Sequence, residues 1–161
     1  MPATAAMRRA FVLVPFMLVA ALVITMVASA PADALTKRER KIRHSTHVAL
    51  NQLGDPYRYG ANGPNAFDCS GLTQFAAKRS EMYLPRSSDA QYRYSRHIKK
   101  RNIERGDYMF FHSGGDIYHV AIFLGRRDGK VRLLHASRSG TPVKRDTAWT
   151  RSWYAGTLRR R

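Results

Sequence analysis

The chain has 161 residues, of which 44% are hydrophobic and 11% aromatic. That length suffices for one globular domain but not for two, and the composition excludes an intrinsically disordered chain. A formal net charge of +17 favours anionic partners such as nucleic acid or a cell envelope.

Residues 1–34 have the three-part layout of a secretory signal. Arg8 and Arg9 precede a long apolar run at 11–27, and small residues follow as far as Ala34. Cleavage after Ala34 would leave residues 35–161 as the mature domain, secreted or associated with a cell wall. The apolar run is also close to the shortest length that spans a membrane, so an uncleaved membrane anchor stays open.

The basic residues are scattered over several short stretches, and no nucleic-acid-binding motif accompanies them. An export signal also argues against DNA as a partner. We therefore expect no nucleic acid to bind, and we expect the basic surface to attract anionic polymers of a cell wall instead.

The first part of the mature chain combines a helical signal with a loop. The basic stretch 35–43 is typical of an exposed helix start or a linker, and apolar residues continue a weak helical face to Leu53. The Gly-Asp-Pro sequence at 54–56 ends this helix. Glycine and asparagine are dense at 57–66, which predicts a loop.

Two further helices are predicted after the loop. Apolar residues at helical spacing indicate a helix that begins at or next to Cys69, with Asp68 as its candidate N-cap. Ser87 and its neighbours can cap a short helix that continues through Tyr94.

The chain then changes character and becomes rich in apolar strand-forming runs. Five strands are predicted, at 108–111, 118–124, 131–136, 141–144 and 153–158. The second is apolar on both faces, as expected for a central strand. Helices followed by a mostly antiparallel sheet of five to six strands predict an α+β fold.

Cys69 is the only cysteine in the chain. Exported proteins usually pair their cysteines, so a single unpaired one indicates either a small buried hydrophobic residue or a reactive thiol. The predicted helix start favours the second interpretation, because a helix N-terminus and a neighbouring imidazole both favour the thiolate.

Two of the six histidines stand out as possible partners of the thiol. His119 and His135 each lie within an apolar strand, where an imidazole is costly unless it has a partner. The other four lie in polar stretches or at a strand end and are predicted to be surface residues: His44, His47, His97 and His112.

The turn between the two strands decides whether His119 and His135 can meet. A two-residue turn at Asp128-Gly129 would pair Arg127 with Lys130 and place the two imidazoles on opposite faces. A three-residue loop would pair Arg126 with Lys130 and place both on one face. Cooperation of the two histidines therefore predicts the three-residue loop.

The three residues together predict nucleophilic catalysis. His119 would take the proton of the Cys69 thiol, and His135 would orient His119, although spacing alone also permits the reverse assignment. A Cys-His-His zinc site is the structural alternative. For the catalytic interpretation we expect no metal and no other cofactor.

Five segments resemble, in order and spacing, the NlpC/p60 peptidases of bacterial cell walls. They are FDCSGL at 67–72, LPRSSDAQ at 84–91, ERGDYMFF at 104–111, YHVAIFLG at 118–125 and LLHAS at 133–137. PYRYG at 56–60 fits as well, and the resemblance covers about residues 49–160. It implies a papain-like α+β fold and cleavage of peptidoglycan stem peptides, commonly between D-glutamate and a diamino acid, through a thioester acyl-enzyme.

The resemblance also implies roles for individual residues. The nucleophile falls on Cys69, the base on His119 and the third polar residue on His135. Asp68 and Ser70 correspond to residues that help to hold substrate. Tyr57 is an implied hydrogen-bond donor in the active site, and its hydroxyl and the backbone N–H of the nucleophile are plausible donors to the oxyanion. We expect the enzyme to act as a monomer.

Two positions depart from the family pattern, and other functions remain open. The usual double glycine after the Pro-Tyr motif is Gly60-Ala61 here, and Ala66 replaces a common glycine; both changes affect the loop beside the groove. The alternatives are an amidase or acyltransferase with the same Cys-His machinery, a non-catalytic basic module that binds the cell envelope and, disfavoured by the export signal, a nucleic-acid-binding protein.

Overall fold

The computed structural model of the protein describes residues 36–159. The predicted signal segment, 1–34, lies outside these residues. Three helices come first: α1 (Lys37–Leu50), α2 (Cys69–Arg79) and α3 (Ser88–Tyr94). Six strands follow: β1 (Arg96–Ile98), β2 (Tyr108–Ser113), β3 (Asp116–Arg127), β4 (Lys130–His135), β5 (Lys144–Thr147) and β6 (Trp153–Thr157). A short 3-10 turn, Lys100–Asn102, lies between β1 and β2.

The helix starts follow from local side-chain chemistry. Thr36 and Glu39 form a reciprocal capping box at the start of α1, so the basic stretch is a helix and not a linker. Asp68 caps α2 by accepting a hydrogen bond from the N–H of Gly71, as predicted. Ser87 caps α3 through the N–H of Ala90. Within residues 36–159 no helix is both long enough and apolar enough to cross a membrane.

The six strands form one antiparallel sheet in the order β1-β6-β2-β3-β4-β5. The predicted α+β fold is therefore confirmed. Side chains on one face of the central strands, such as Phe110, Val120 and Leu134, pack against the helices. Alternate side chains, such as Phe111 and Leu133, form a second buried cluster. The central strands are thus buried on both faces, as their continuous apolar sequence predicts.

The predicted strand at 141–144 is wrong. Val143 pairs instead with the segment after α1, where it donates its N–H to the Asp55 carbonyl and accepts from the N–H of Gly54. The strand that pairs with β4 begins only at Lys144. The short strand β1 was not predicted from the sequence; its first two residues are exposed and polar, and it pairs with β6.

The β3–β4 hairpin places both histidines on one face by an unexpected route. The predicted three-residue loop is wrong: Arg127 pairs with Lys130 across a two-residue turn in which Asp128 and Gly129 both have positive φ. A bulge between Phe123 and Gly125 then shifts the register by one residue. Without the bulge, this turn would place the two histidine side chains on opposite faces of the sheet. With the bulge, His119 and His135 lie on one face and contact each other.

Candidate active site

Cys69 is the first residue of α2, and its thiol lies against β3. The backbone N–H groups of Val120 and Ser70 are close enough to the thiol to favour its thiolate by hydrogen bonding. Burial raises the pKa of Cys69, and the nearby Asp68 charge adds to this effect, so that these hydrogen bonds do not bring the pKa below its ordinary value. The helix N-terminus therefore does not ionise this thiol by itself, and loss of its proton calls for a base, as the predicted pairing with an imidazole requires.

His119 directly precedes Val120 in β3 and is the candidate for this base. Its Nε2 atom is 3.0 Å from Nδ1 of His135, and the two rings meet edge to face at 5.1 Å between centroids. This contact leaves Nδ1 as the ring nitrogen of His119 that could accept a thiol proton. Burial, together with His135, lowers the pKa of His119 to about 3, so its imidazole is unprotonated at neutral pH and has a lone pair free to accept a proton.

His135 is almost fully buried, with 2% of its surface exposed. Its Nδ1 faces His119, and its Nε2 lies 3.6 Å from a carboxylate oxygen of Asp146 on the neighbouring strand β5. Burial lowers the pKa of His135, while the Asp146 charge acts in the opposite direction. The two imidazoles and the carboxylate thus form a row across β3, β4 and β5.

Trp149 lies over the two imidazoles. Its ring stacks on Phe111 with 4.2 Å between centroids and an interplanar angle of 11°. The same ring lies 5.6 Å from His119 and 5.6 Å from His135. Because Trp149 is 52% exposed, it shields the imidazoles on one side and presents an aromatic surface to solvent on the other.

A cleft of about 400 Å³ opens beside the histidines. Its lining combines aromatic, cationic and hydroxyl groups: Tyr118, His119, His135, Ser137, Arg138, Thr141, Lys144, Asp146 and Trp149. An extended peptide with charged groups could therefore lie against the imidazoles. A larger cleft of about 630 Å³ lies beside α1 and has none of the predicted catalytic residues in its lining.

The carboxylate of Asp68 is occupied by partners within the protein. Arg86 donates to both of its oxygens, at 3.0 and 2.5 Å. Gly71 and Gly60 donate backbone N–H groups at 2.7 and 2.9 Å. Ser70 joins this network, since its hydroxyl donates to Asp68 and accepts from Arg86. Asp68 and Ser70 thus fix the turn before Cys69, whereas the implied substrate contact stays a prediction.

Tyr57 is close enough to the nucleophile to be affected by its charge. Burial raises the pKa of its hydroxyl, and the Cys69 and Asp68 charges raise it further. The hydroxyl therefore stays protonated at neutral pH and is able to donate a hydrogen bond. The backbone of Tyr57 is held on both sides, by a bridge to Phe67 and by a hydrogen bond to the Thr141 carbonyl.

The zinc alternative finds no support in the side-chain arrangement. Across residues 36–159, no three His, Cys, Asp or Glu side chains are grouped so that they could hold a metal ion. His44 and His47 have other contacts: His44 pairs with the Ser80 hydroxyl at 3.0 Å, and His47 with the side chain of Asn51 at 3.5 Å.

Three residues of this site were not predicted from the sequence, namely Arg86, Asp146 and Trp149. Arg86 lies within one of the segments that carry the family resemblance, so the sequence did contain an indication that it belongs to the site. Asp146 was missed because the fourth strand was placed three residues too early. Trp149 follows that strand in an irregular segment, and no local pattern predicts that it reaches the histidines.

Replacement of Arg86 with Met is expected to lower the free energy of unfolding at pH 7 by about 2 kcal/mol, because it leaves a buried carboxylate without its counter-charge. Burial raises the pKa of Asp68, but hydrogen bonds from Arg86 and two backbone N–H groups outweigh it and hold the pKa below its ordinary value. The stabilisation is therefore present above pH 3.8 and is lost as the pH falls through the folded-state value.

Urea unfolding of wild type and Arg86→Met at pH 7 and near pH 2 measures this effect. The difference between the two proteins should shrink at the lower pH. Arg93→Met is the matched control, since Arg93 and Asp89 form a salt bridge with side chains 68% and 46% exposed, and such surface pairs contribute little. Equal losses from the two substitutions at pH 7 would contradict the prediction.

Comparisons with known proteins agree on one family. A sequence profile of the NlpC/P60 family matches residues 54–161. A probable endopeptidase p60 from Listeria innocua is 37% identical over 105 residues, which are 65% of this chain. The matched region makes up 21% of that relative, so the chain spans about a fifth of its length.

Solved structures show the same fold. The P60 domain of an antigen from Mycobacterium avium subspecies paratuberculosis superposes with a TM-score of 0.66 and 28% identity, over 77% of this chain and 98% of that one. The peptidoglycan hydrolase RipB from Mycobacterium tuberculosis superposes with a TM-score of 0.66 and 26% identity, over 76% of this chain and 66% of that one.

Proposed function

Because the chain belongs to the NlpC/P60 family, we propose that it is a cysteine endopeptidase that cleaves stem peptides of peptidoglycan. One observation carries the proposal. The thiol of the only cysteine lies beside the backbone N–H of Val120, the residue that follows His119, and Nε2 of His119 contacts Nδ1 of His135. A nucleophile, a base and a group that orients the base are thus arranged along one path.

We propose the following course of reaction. Nδ1 of His119 removes the thiol proton as Cys69 attacks the carbonyl carbon of the peptide bond. The resulting oxyanion accepts hydrogen bonds from the Tyr57 hydroxyl and from the backbone N–H of Cys69, which has no partner within its helix because it is the first helical residue.

The tetrahedral intermediate then collapses. The carbon–nitrogen bond breaks, His119 returns its proton to the leaving amine, and a thioester remains on Cys69. Water, activated by the same imidazole, hydrolyses the thioester and frees the thiol. His135 holds the ring of His119 through the 3.0 Å contact, so that Nδ1 remains directed at the reacting atoms. The proposed substrate bond joins D-glutamate to a diamino acid.

Digestion of purified peptidoglycan, followed by mass analysis of the released fragments, tests this function. We expect new free amines and fragments cut within the stem peptide. Enzyme treated with iodoacetamide is the control, because the chain has one thiol to alkylate. Glycan fragments with intact stems would contradict the peptidase, and transfer of the acyl group to an added amine without hydrolysis would favour an acyltransferase.

We also propose that the domain is exported and that its basic surface holds it to anionic wall polymers. The net charge of +17 supports this, as does the cationic lining of the cleft beside α1, to which Arg43, Arg105 and Arg159 contribute. Co-sedimentation with isolated cell walls should fall steeply between about 0.05 and 0.5 M salt, because exposed charges are screened. Binding to cell walls that persists unchanged at high salt would contradict the electrostatic attachment. A separate test is the N-terminal sequence of the secreted protein: a start that is not near Leu35 would contradict the predicted cleavage.

A further inference from the structure

Asp146 lies at the outer end of the row formed by the two imidazoles. Its Oδ2 atom is 3.6 Å from Nε2 of His135, and His135 in turn contacts His119. We infer that Asp146 is a positioning residue that fixes the proton positions of both imidazoles, so that His119 presents an unprotonated Nδ1 to the thiol. The catalytic consequence of this inference rests on the proposed function, whereas the proton positions do not.

The contact between the two imidazole rings permits two arrangements of protons. A neutral imidazole carries one N–H and one lone pair, so the contact between Nε2 of His119 and Nδ1 of His135 can be made in two ways. Either His119 donates and His135 accepts, or the reverse. If His135 donates from Nδ1, then His119 carries its proton on Nδ1 and cannot take a proton from Cys69 there.

The carboxylate decides between these two arrangements. A carboxylate only accepts hydrogen bonds, so Asp146 favours an N–H on Nε2 of His135. Nδ1 of His135 must then accept, Nε2 of His119 must donate, and Nδ1 of His119 keeps its lone pair. A single acceptor at the outer end therefore sets the proton positions along the whole row.

Burial of Nε2 of His135 favours a hydrogen-bond acceptor at the outer end of the row. Nε2 of His135 is buried and has no hydrogen-bond partner among residues 36–159, and a buried N–H without an acceptor is costly. The separation of 3.6 Å is longer than a hydrogen bond. Contacts of this kind tighten when charge develops on the base during the reaction.

The charged groups around His135 are compatible with this role. Lys144 lies 2.8 Å from the same Asp146 oxygen, and the N–H of Thr147 donates to the other oxygen at 2.8 Å. These contacts hold the carboxylate in place and keep it ionised. Arg138 lines the same cleft, so Asp146 is the anion that faces His135 in a cationic setting.

Nitrogen-15 NMR of the histidine side chains in the free protein tests the inference without any substrate. The wild-type protein near pH 7.5 should show His119 and His135 both protonated on Nε2, with signals assigned from His119→Gln and His135→Gln spectra. Asp146→Ala should give a mixture that includes protonation on Nδ1. Asp116→Ala, which removes an exposed carboxylate at the start of β3, should leave the wild-type pattern, and Asp146→Glu should restore part of it.

Activity provides the second measurement. Asp146→Ala should lower kcat/KM roughly 10-fold, as removal of a group that orients an imidazole does elsewhere, when both proteins are assayed at a temperature at which they are fully folded. Nδ1 protonation of His135 in the wild-type protein, or identical proton positions in Asp146→Ala, would overturn the inference. A wild-type protein that fails to digest peptidoglycan would contradict the proposed function and leave the NMR result to decide the role of Asp146.

Discussion

Replacement of Cys69 with Ala is expected to reduce the release of peptide fragments from peptidoglycan by a factor of about 10⁴ or more, since no other group can form the acyl-enzyme. Cys69 is the only cysteine of the chain, so no second thiol can substitute. Digestion of purified peptidoglycan by equal amounts of the two proteins, with mass analysis of the products over time, measures the effect.

The substitution should leave the fold intact, which keeps the test specific. Cys69 begins α2 and is only half-buried, while the cap of this helix is supplied by Asp68 and its network. Removal of one sulfur atom at such a position should change the free energy of unfolding by less than about 1 kcal/mol. An inactive variant with a wild-type unfolding curve therefore indicates loss of the nucleophile.

Cys69→Ser distinguishes a nucleophile from a binding contact. The hydroxyl has nearly the size of the thiol but is a much weaker acid, so His119 would have to remove a far more tightly held proton. We expect Cys69→Ser to bind cell walls as wild type does and to turn over at least about 10³-fold more slowly. Equal products from wild type and either variant would end the peptidase proposal.

The parts of the site that depend on local sequence were predictable. Asp68 is a preferred N-cap residue directly before an apolar helical pattern, and the structure confirms it as the cap of α2. The strands that carry His119 and His135 were predicted because each histidine lies within a run of apolar residues, which is typical of a buried strand and not of a turn. The placement of both residues in the sheet followed from these patterns alone.

The facing of the two histidines shows where local reasoning fails. Asp128-Gly129 is a strong signal for a two-residue turn, and the structure has that turn. The compensating bulge has only Gly125 as a local signal, with φ at 133°, and a glycine in a strand has several possible meanings. The conclusion that the histidines share a face was right, but the predicted reason was wrong.

Asp146 and Arg86 illustrate a different limit, which is pairing between distant segments. β5 begins at Lys144 because residues just before it are bonded to the segment after α1, nearly 90 positions earlier in the chain. No sequence pattern within residues 141–147 indicates that the first of them pair with the segment after α1 and not with β4. Arg86 similarly reaches Asp68 across 18 positions, and only the arrangement of α2 and the following loop brings them together.

Replacement of His119 with Ala should lower kcat/KM roughly 10³-fold, the usual contribution of a positioned general base. His112→Ala is the matched control: its imidazole lies at the end of the neighbouring strand β2 and stacks on Tyr154 at 4.1 Å, away from the row of His119 and His135. We expect this control to retain activity within a factor of about two. Comparable losses from both substitutions would indicate damage to the sheet and not removal of a base.

The pH dependence of the wild-type enzyme provides an independent check on His119. Burial and His135 lower its pKa to about 3, so the base stays unprotonated far below pH 6.5, while burial raises the pKa of the Cys69 thiol above its ordinary value of 9.0. In the active form, the Cys69 thiol and the His119 imidazole together carry one proton. We therefore expect kcat/KM to remain level between about pH 6 and 9, with an acid limb well below 6.5.

Folding stability should change with pH in a related way and must be measured alongside. Because the folded-state pKa of His119 lies below its unfolded value of 6.5, the unfolded chain binds more protons between the two values, and stability falls as the pH drops below 6.5. His119→Ala should lose this part of the pH dependence. Unfolding curves at each pH thus separate protonation of the base from loss of the fold. An acid limb near pH 6.5 in fully folded enzyme would contradict the prediction, because it would mean that His119 is a solvated imidazole and not the buried base inferred from its contact with His135.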